Sequence, residues 1–152
     1  MRDKWLTVAA FVMGFDQISK YYMTTELTVL KQIIVFPGFD FVLRHNTGAA
    51  FSLLASAPGW QRWFFIGLGF LVSFIIYIWM GRLSAKQKLE GFALALIFGG
   101  AVGNMLDRIL LGSVTDFILL YYKTWEWPAF NLADMAIFFG VVLLIPTLFK
   151  KS

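Results

Sequence analysis

The chain has 152 residues, of which 59% are hydrophobic and only 14% are charged, with 17 phenylalanines and a formal net charge of +4. A soluble domain of this size has too little interior to bury that much apolar surface, so the composition predicts an integral membrane protein. The absence of cysteine and the presence of one histidine exclude disulfides, thiolate chemistry and a zinc site built on paired histidines. No basic tract with interleaved aromatic residues is found, so nucleic acid is not expected as a partner.

Four apolar segments are predicted as transmembrane helices, at about residues 5–23, 63–80, 91–111 and 128–149. The first has the charged start of a secretory signal, but no small-residue cleavage site follows it, so we interpret it as a retained helix. Pro128 suits a helix start, and Pro146 is expected to kink or fray the last turn of the fourth helix.

Four spans place both termini on the same side of the membrane. Basic residues are concentrated in the two tails and in the short second connection, which makes that side cytoplasmic by the positive-inside rule. These residues are Arg2, Lys4, Arg82, Lys86, Lys88, Lys150 and Lys151. The two longer loops, at about residues 24–62 and 112–127, are then extracytoplasmic.

Both long loops carry signs of secondary structure. In residues 28–43, β-branched and aromatic residues alternate on both sides of the turn pair Pro37-Gly38, and this pattern predicts a β-hairpin. Residues 49–56, AAFSLLAS, are compatible with a short helix on the membrane surface. Val114 to Tyr122 is predicted as a strand. The sequence therefore predicts an all-α membrane protein, a four-transmembrane-helix bundle in one domain, 1–152, with a small sheet on its outer surface.

Polar residues interrupt three of the four apolar segments, and the orientation derived above brings all of them to the outer leaflet. They are Asp16 and Lys20 in the first, Asn104, Asp107 and Arg108 in the third, and Asn131 and Asp134 in the fourth. Because a charged residue in a membrane costs about 2.5–3.5 kcal/mol on insertion scales, such residues indicate function by default.

Asp116 and Asp134 are the strongest catalytic candidates, because neither has a cation within four residues in sequence and each lies where a helix meets the outer surface. Two carboxyl groups that face one another share a proton, since neighbouring like charges resist double ionisation. One can then activate water while the other protonates a leaving group.

Simpler structural interpretations apply to several neighbours. Asp107 and Arg108 are interpreted as a structural ion pair, and Gly99 to Gly103 as a GxxxG packing motif. Asp16 and Lys20, four residues apart, are interpreted as a pair that closes the first helix. Asn46 is either a turn residue or a hydrogen-bond donor to substrate. His45 beside Ser52 suggests a nucleophile and base, but an ordinary loop histidine is favoured.

Three function classes remain open at this point. Besides an enzyme, a small proton-coupled transporter or channel would also place carboxylates inside a membrane. The gathering of polar residues at one leaflet and the lack of a polar relay in the second helix argue against that alternative. A scaffold protein would explain the aromatic helices but not the converging Asn and Asp residues.

The motifs DQISK, RHNTGAAFS, GGAVGNMLDR, VTDF and FNLAD, in this order and with these separations, resemble lipoprotein signal peptidase, also called signal peptidase II. This bacterial membrane aspartyl protease removes signal peptides from diacylglyceryl-modified prolipoproteins. The resemblance extends from Asp16 to Asp134 and includes the four-helix layout, and it implies a β-sheet cradle and a surface helix over the site.

The resemblance also implies a role for each matching residue. Asp116 and Asp134 would be the catalytic dyad. The substrate site would be lined by Asn46, Asn104, Arg108 and Asn131, with Asp16, Lys20, Gly48 and Asp107 as supporting residues. No metal and no cofactor would be required. The expected partners are lipid-modified prolipoproteins and membrane lipids, the expected state is a monomer, and the expected location is the bacterial inner membrane with the site on the extracytoplasmic side.

Overall fold

A computed structural model describes residues 2–30, 32–48 and 59–149 of the chain. Within these residues it contains four α-helices and one four-stranded antiparallel sheet. In chain order the elements are α1 (Arg2–Leu30), β1 (Gln32–Phe36), β2 (Phe39–Asn46), α2 (Trp60–Arg82), α3 (Lys88–Leu110), β3 (Val114–Tyr122), β4 (Trp125–Glu126) and α4 (Leu132–Leu148). The surface helix suggested for residues 49–56, and with it Ser52, lies outside the described residues.

Helix α3 is the centre of the bundle and packs against α1, α2 and α4. Its two motif glycines allow α1 to approach closely: a Cβ atom on Gly99 would lie 2.6 Å from the carbonyl oxygen of Ala9, and one on Gly103 would lie 2.6 Å from Asp16 Oδ2. Real Cβ contacts are not that short, so both positions require glycine at this helix separation. The packing interpretation of the GxxxG motif is confirmed.

The helices carry large apolar side chains on their outer faces, such as Phe70 at 65% exposure and Phe138 at 62%. Such a surface requires an apolar environment. Of the four predicted spans, α2 and α3 are long and apolar enough to cross a membrane, whereas α4 is apolar but has 17 residues. Helix α1 carries charged residues along its length.

Two helix boundaries differ from the prediction. Helix α1 does not end near residue 23 but continues to Leu30, because Leu27 is buried in a hydrophobic cluster with Phe117 and Ile118 of β3. Helix α4 begins at Leu132 rather than at Pro128. The preceding chain is held extended, because Phe130 pairs with Ile118 of β3.

The sheet has the order β1-β2-β3-β4. The predicted hairpin is present as β1 and β2, and its turn uses Gly38 with φ 100°, a backbone conformation that favours glycine. The strand predicted over Val114–Tyr122 is confirmed with the same boundaries. Strands β2 and β3 pair with Arg44 opposite Asp116, so the candidate carboxylate lies at the beginning of β3, next to the end of α3.

Candidate active site

The connection from α3 to β3 is short, and a side chain on α3 holds it in place. Gly112 turns the chain with φ 83°. Two residues into the strand, the Thr115 N–H donates to Asp107 Oδ2 at 3.0 Å. Asp107 is therefore an anchor for the strand that carries Asp116, and both carboxylates are almost completely buried.

A second main-chain interaction brings α4 to the same point. The Phe130 N–H donates to the Ile118 carbonyl at 3.1 Å, and the Ile118 N–H donates to the Phe130 carbonyl at 2.9 Å. This pairing lies immediately before Asn131, the residue that precedes α4. It therefore sets the first turn of α4, with Asp134, beside Asp116 on β3.

Asn131 connects the two candidate carboxylates. Its Nδ2 donates to Asp116 Oδ1 at 2.7 Å, and its backbone N–H donates to Asp134 Oδ2 at 3.2 Å. Its Oδ1 accepts from the Asp134 backbone N–H at 3.0 Å, which completes a capping box at the start of α4. Asn131 is fully buried, so one side chain caps the helix and binds Asp116 at the same time.

Asn104 on α3 contacts the other side of Asp134. Its Nδ2 donates to Asp134 Oδ1 at 2.8 Å, while its Oδ1 accepts from Lys20 Nζ at 2.9 Å and from Asn131 Nδ2 at 3.2 Å. The Asn104 amide therefore links the buried lysine of α1 to the carboxylate of α4.

Beneath this layer lies a buried charged cluster. Lys20 Nζ lies 2.8 Å from Asp16 Oδ2 and 3.0 Å from Asp107 Oδ2. Asp16 Oδ1 also accepts from the Ala133 N–H at 2.9 Å, which connects α1 to the first turn of α4. The predicted pair of Asp16 and Lys20 is thus confirmed, and it connects helices rather than merely closing α1.

The predicted ion pair between Asp107 and Arg108 is wrong. Consecutive residues on a helix point in different directions, so Asp107 faces Lys20 while Arg108 faces the cavity. The Arg108 guanidinium lies 4.9 Å from the centre of the Phe65 ring. Its Nη2 donates to the Gly48 carbonyl at 2.9 Å, and its Nη1 donates to the Asn104 carbonyl at 3.3 Å.

Asn46 and Gly48 form the turn at the end of β2. The Gly48 N–H donates to Asn46 Oδ1 at 3.0 Å, and a further hydrogen bond joins the Asn46 side chain to Asp116. The sequence left Asn46 open between a turn residue and a hydrogen-bond donor to substrate; the turn is present, and the contact with substrate stays a prediction. His45 is exposed on β2.

The environment of Asp116 favours its protonated form. Burial, and after it the negative charge of Asp134, raise the pKa of Asp116 to about 7. Hydrogen bonds from Asn131 and Asn46 and the charge of Lys20 act in the opposite direction but are smaller. A carboxyl group with such a pKa can take up and release a proton near neutral pH.

A cavity of about 540 Å³ opens beside these residues. One wall is polar and consists of Asn46, Asn104, Arg108, Asp116 and Asp134. The facing wall is apolar and includes Trp127, Phe130, Phe138 and Phe139. Such a cavity can hold an extended chain with its polar backbone against the carboxylates and its apolar side chains against the aromatic wall. Among the described residues, no group of three or more histidine or carboxylate side chains could hold a metal ion.

Sequence reasoning missed three neighbours of the site. Gln17 donates to Asp107 Oδ1 at 2.8 Å, and its position beside Asp16 in an apolar segment was the available signal. Arg62 donates to the main-chain carbonyls of Arg108 and Ile109, both at 2.8 Å, at the end of α3. The aromatic wall had no signal, because phenylalanine is common throughout the chain.

Comparison with known proteins gives consistent matches over nearly the whole chain. A family model described as Signal peptidase (SPase) II matches residues 8–150. A lipoprotein signal peptidase from Pseudomonas syringae pv. tomato is 45% identical over 153 residues, which cover 99% of this chain and 88% of the relative. A lipoprotein signal peptidase from Pseudomonas aeruginosa strain UCBPP-PA14 is 47% identical over 150 residues, covering 97% of this chain and 88% of the relative.

Solved structures with the same fold are described as bacterial membrane enzymes. One has a TM-score of 0.83 and 29% sequence identity, covering 96% of this chain and 87% of that chain. A second has a TM-score of 0.82 and 29% identity, covering 99% and 95% respectively.

Proposed function

The chain belongs to the signal peptidase II family of aspartic endopeptidases, and from this membership we propose that it removes the signal peptide from diacylglyceryl-modified prolipoproteins with Asp116 and Asp134 as its catalytic dyad. The observation that carries the proposal is the shared contact with Asn131, which donates to Asp116 from its side chain and to Asp134 from its backbone. Because Asn131 donates to both carboxyl groups, it can hold them at one reaction centre.

In the proposed reaction, the carboxylate of one aspartate takes a proton from a water molecule. The oxygen of that water attacks the carbonyl carbon of the scissile peptide bond and forms a tetrahedral intermediate. The carboxyl group of the second aspartate then protonates the leaving nitrogen as the carbon–nitrogen bond breaks. The raised pKa of Asp116 supports this assignment of one acid and one base. A carboxyl group that keeps its proton near neutral pH can act as the acid while its neighbour is ionised and acts as the base.

The remaining polar residues are proposed to bind the substrate. Asn46 and Asn104 line the cavity and can hydrogen-bond a peptide backbone without adding buried charge. Asn131, which was expected to bind substrate, is fully buried and does not line the cavity, so its proposed part is to hold Asp116 and Asp134. Arg108 supports the same role, because its Nε is buried and has no hydrogen-bond partner among the described residues. A substrate carbonyl beside it would satisfy that donor. The apolar wall would receive the hydrophobic side chains of the signal peptide.

The proposed membrane arrangement has four transmembrane helices in one domain, 1–152, with both termini in the cytoplasm. Two features support it: the site residues lie at the C-terminal end of α3 and the N-terminal end of α4, and basic residues concentrate at the opposite ends of the helices. The sheet then forms a cradle on the extracytoplasmic side. Substrate would enter from the membrane, with its diacylglyceryl anchor among the lipids, and the enzyme would act as a monomer.

Family membership decides between the function classes that the sequence left open. A transporter or channel would also carry intramembrane carboxylates. The relatives, however, are peptidases. The contacts that Asn131 makes with both carboxyl groups support a joint role of Asp116 and Asp134 in hydrolysis.

The test is processing of a lipid-modified prolipoprotein in membranes that contain Asp116→Asn or Asp134→Asn at wild-type expression. Each variant keeps the size of the side chain but cannot exchange the working proton, so uncleaved, lipid-modified precursor should accumulate. Asp40→Asn is a matched control, because Asp40 is also buried but bonds to Gln32 within the sheet, at 2.6 Å. Normal processing by either dyad variant would remove that residue from the proposed reaction.

A further inference from the structure

Lys20 is a buried charged residue to which the proposed reaction gives no part. Its ammonium group has three N–H donors. Three acceptors surround it: Asp16 Oδ2 at 2.8 Å, Asp107 Oδ2 at 3.0 Å and Asn104 Oδ1 at 2.9 Å. The first two partners are carboxyl groups, which offset its positive charge. The third is an uncharged amide that also contacts Asp134, so the lysine is connected to the reaction centre through one side chain.

This contact and one from Asn131 together determine which way the Asn104 amide points. Its Oδ1 faces two groups that can only donate, Lys20 Nζ and Asn131 Nδ2. In the flipped amide, the NH₂ group would face both donors and both hydrogen bonds would be lost. The Asn104 Nδ2 is therefore directed at Asp134 Oδ1, at 2.8 Å.

Both oxygens of Asp134 accept from N–H groups, Oδ1 from Asn104 and Oδ2 from the Asn131 backbone at 3.2 Å. Hydrogen bonds donated to both oxygens stabilise the ionised form of a carboxyl group. Asp116 also accepts from two amide side chains, those of Asn131 and Asn46, but burial and then the charge of Asp134 raise its pKa to about 7. The Asn104 amide that donates to Asp134 is, in addition, bound by the Lys20 ammonium group. The two carboxyl groups thus have unequal surroundings.

We propose that Lys20, acting through Asn104, is a positioning residue that keeps Asp134 ionised and leaves the shared proton of the dyad on Asp116. This inference rests on the proposed function and assigns its roles. Asp134 takes the proton of the attacking water, and Asp116 gives its proton to the leaving nitrogen. After cleavage Asp134 is protonated and Asp116 is ionised, and exchange with water restores the resting state.

The charged groups nearest this path lie on α1, α3, α4 and β3; of the neighbouring elements, β2 carries Arg44, which pairs with Glu126, and α2 carries Arg62, which donates to main-chain carbonyls of α3. Asp16 lies on α1, Asp107 and Arg108 on α3, Asp134 on α4 and Asp116 on β3. Lys20 contacts the first two carboxylates directly, and its charge also acts on Asp116. Replacing the lysine alone would leave Asp16 and Asp107 buried without a cation, and such a variant is prone to misfold.

The first experiment locates the proton without measuring activity. Infrared difference spectra of the purified protein at pH 5 would detect the carbonyl stretch of a protonated carboxyl group. We expect this band to be lost in Asp116→Asn and kept in Asp134→Asn. The reverse pattern, or a band that both variants keep or both lose, would overturn the inference. The proposed function is tested separately, by precursor processing in the same variants. The spectra can therefore contradict the position of the proton while processing still supports the proposed function, and the reverse is also possible.

The second experiment tests Lys20 in a variant that keeps the local net charge. Lys20→Met combined with Asp107→Asn removes one positive and one negative charge, and the side-chain oxygen of the new amide can still accept from the Thr115 N–H. Only the hydrogen bond from Asn131 then orients the Asn104 amide. We therefore expect kcat to fall about 10–100-fold, as when a residue that positions a reactive group is removed, while KM stays within about threefold.

Gln17→Met is the matched control, because Gln17 also donates to Asp107, at 2.8 Å, but its hydrogen bonds do not reach Asn104. It should lower the unfolding temperature while kcat stays within about threefold of wild type. A folded double variant with the kcat of Gln17→Met would overturn the role of Lys20.

Discussion

Asn131 and Asp116 are joined by a hydrogen bond of 2.7 Å from the asparagine Nδ2 to the aspartate Oδ1. The same asparagine caps α4 through its Oδ1, which accepts from the Asp134 N–H at 3.0 Å. Folding of the helix start and orientation of the candidate carboxylate therefore depend on one side chain. The two functions can be separated, because they use different atoms of the amide.

Asn131→Ser should keep the helix cap and lose the contact with Asp116, since a serine hydroxyl caps well but is too short to reach across. We expect reduced turnover together with a loss of stability, because the buried acceptors of the Asn131 Nδ2 group lose that donor. Asn131→Ala should lose both, with a further destabilisation of about 1 kcal/mol for the missing cap. Unfolding temperatures and kcat of the two purified variants test this. Equal turnover of Asn131→Ser and wild type would show that the contact with Asp116 is not needed.

The features that the sequence predicted correctly are local ones. Val114 to Tyr122 is rich in β-branched and aromatic residues, so this strand can be predicted without knowledge of the strands that pair with it. The Pro37-Gly38 turn and the GxxxG contact of α3 were predictable for the same reason. Asp116 and Asp134 line the same cavity, which agrees with the prediction from the sequence that the polar ends of the helices lie together.

The features that the sequence did not predict depend on distant contacts. The sequence near Pro128 does not show that Phe130 pairs with Ile118 of β3. Because of that pairing, α4 begins at Leu132 and not at Pro128. The partner of Asp107 was likewise misjudged, because neighbours in sequence were preferred over Lys20 on another helix. A helix face limits the possible partners of a side chain, but only packing selects among them.

The dyad should behave as one unit in kinetics. Asp116→Asn and Asp134→Asn should each reduce kcat by at least the factor of about 10²–10⁴ that acid–base catalysis contributes. Because each residue works only with the other, the double variant should be scarcely slower than either single variant. Purified enzymes and a synthetic lipopeptide test this. Multiplicative losses would mean that the two carboxyl groups act independently.

Arg108→Lys should impair cleavage although it conserves charge. A lysine cannot stack on Phe65 and reach the carbonyls of Gly48 and Asn104 together. Loss of one charge-assisted hydrogen bond costs about 1.5–3 kcal/mol, which predicts a decrease in kcat/KM of about 10–100-fold.

Arg44→Lys is the control for this substitution, because Arg44 on β2 forms an exposed ion pair with Glu126 on β4, at 2.7 Å. Such surface pairs contribute about 0–1 kcal/mol, so little change is expected. Equal losses in both variants would argue against a specific role for the Arg108 guanidinium.

The proposed topology can be tested by labelling, because the chain has no cysteine of its own. Trp125→Cys on β4 and Ser84→Cys between α2 and α3 place single thiols at exposed positions. An impermeant maleimide added to intact cells should label the cysteine at position 125, whereas the one at position 84 should react only after the membrane is opened. Labelling of both positions from the same side would contradict the four-span arrangement.

The last prediction concerns pH. The pKa of Asp116 is raised from 3.8 to about 7, first by burial and then by the charge of Asp134. Between these two values the folded protein keeps a proton that the unfolded chain has released. The stability that Asp116 contributes is therefore fully present below about pH 4, and it is lost as the pH rises through 7. Cleavage should decline as the pH rises through about 7, because the dyad loses its shared proton.

Asp116→Asn cannot ionise, so it should match the wild type in stability near pH 4 and exceed it above pH 7, by at most about 4 kcal/mol for a shift of about three pKa units. Chemical unfolding of both proteins in detergent at pH 4–8 measures the difference. The comparison is repeated in a His45→Gln background, which removes the one histidine of the sequence, and the same difference should persist. A constant difference between the two proteins at every pH would mean that Asp116 keeps an ordinary pKa, and the dyad would then hold its proton elsewhere.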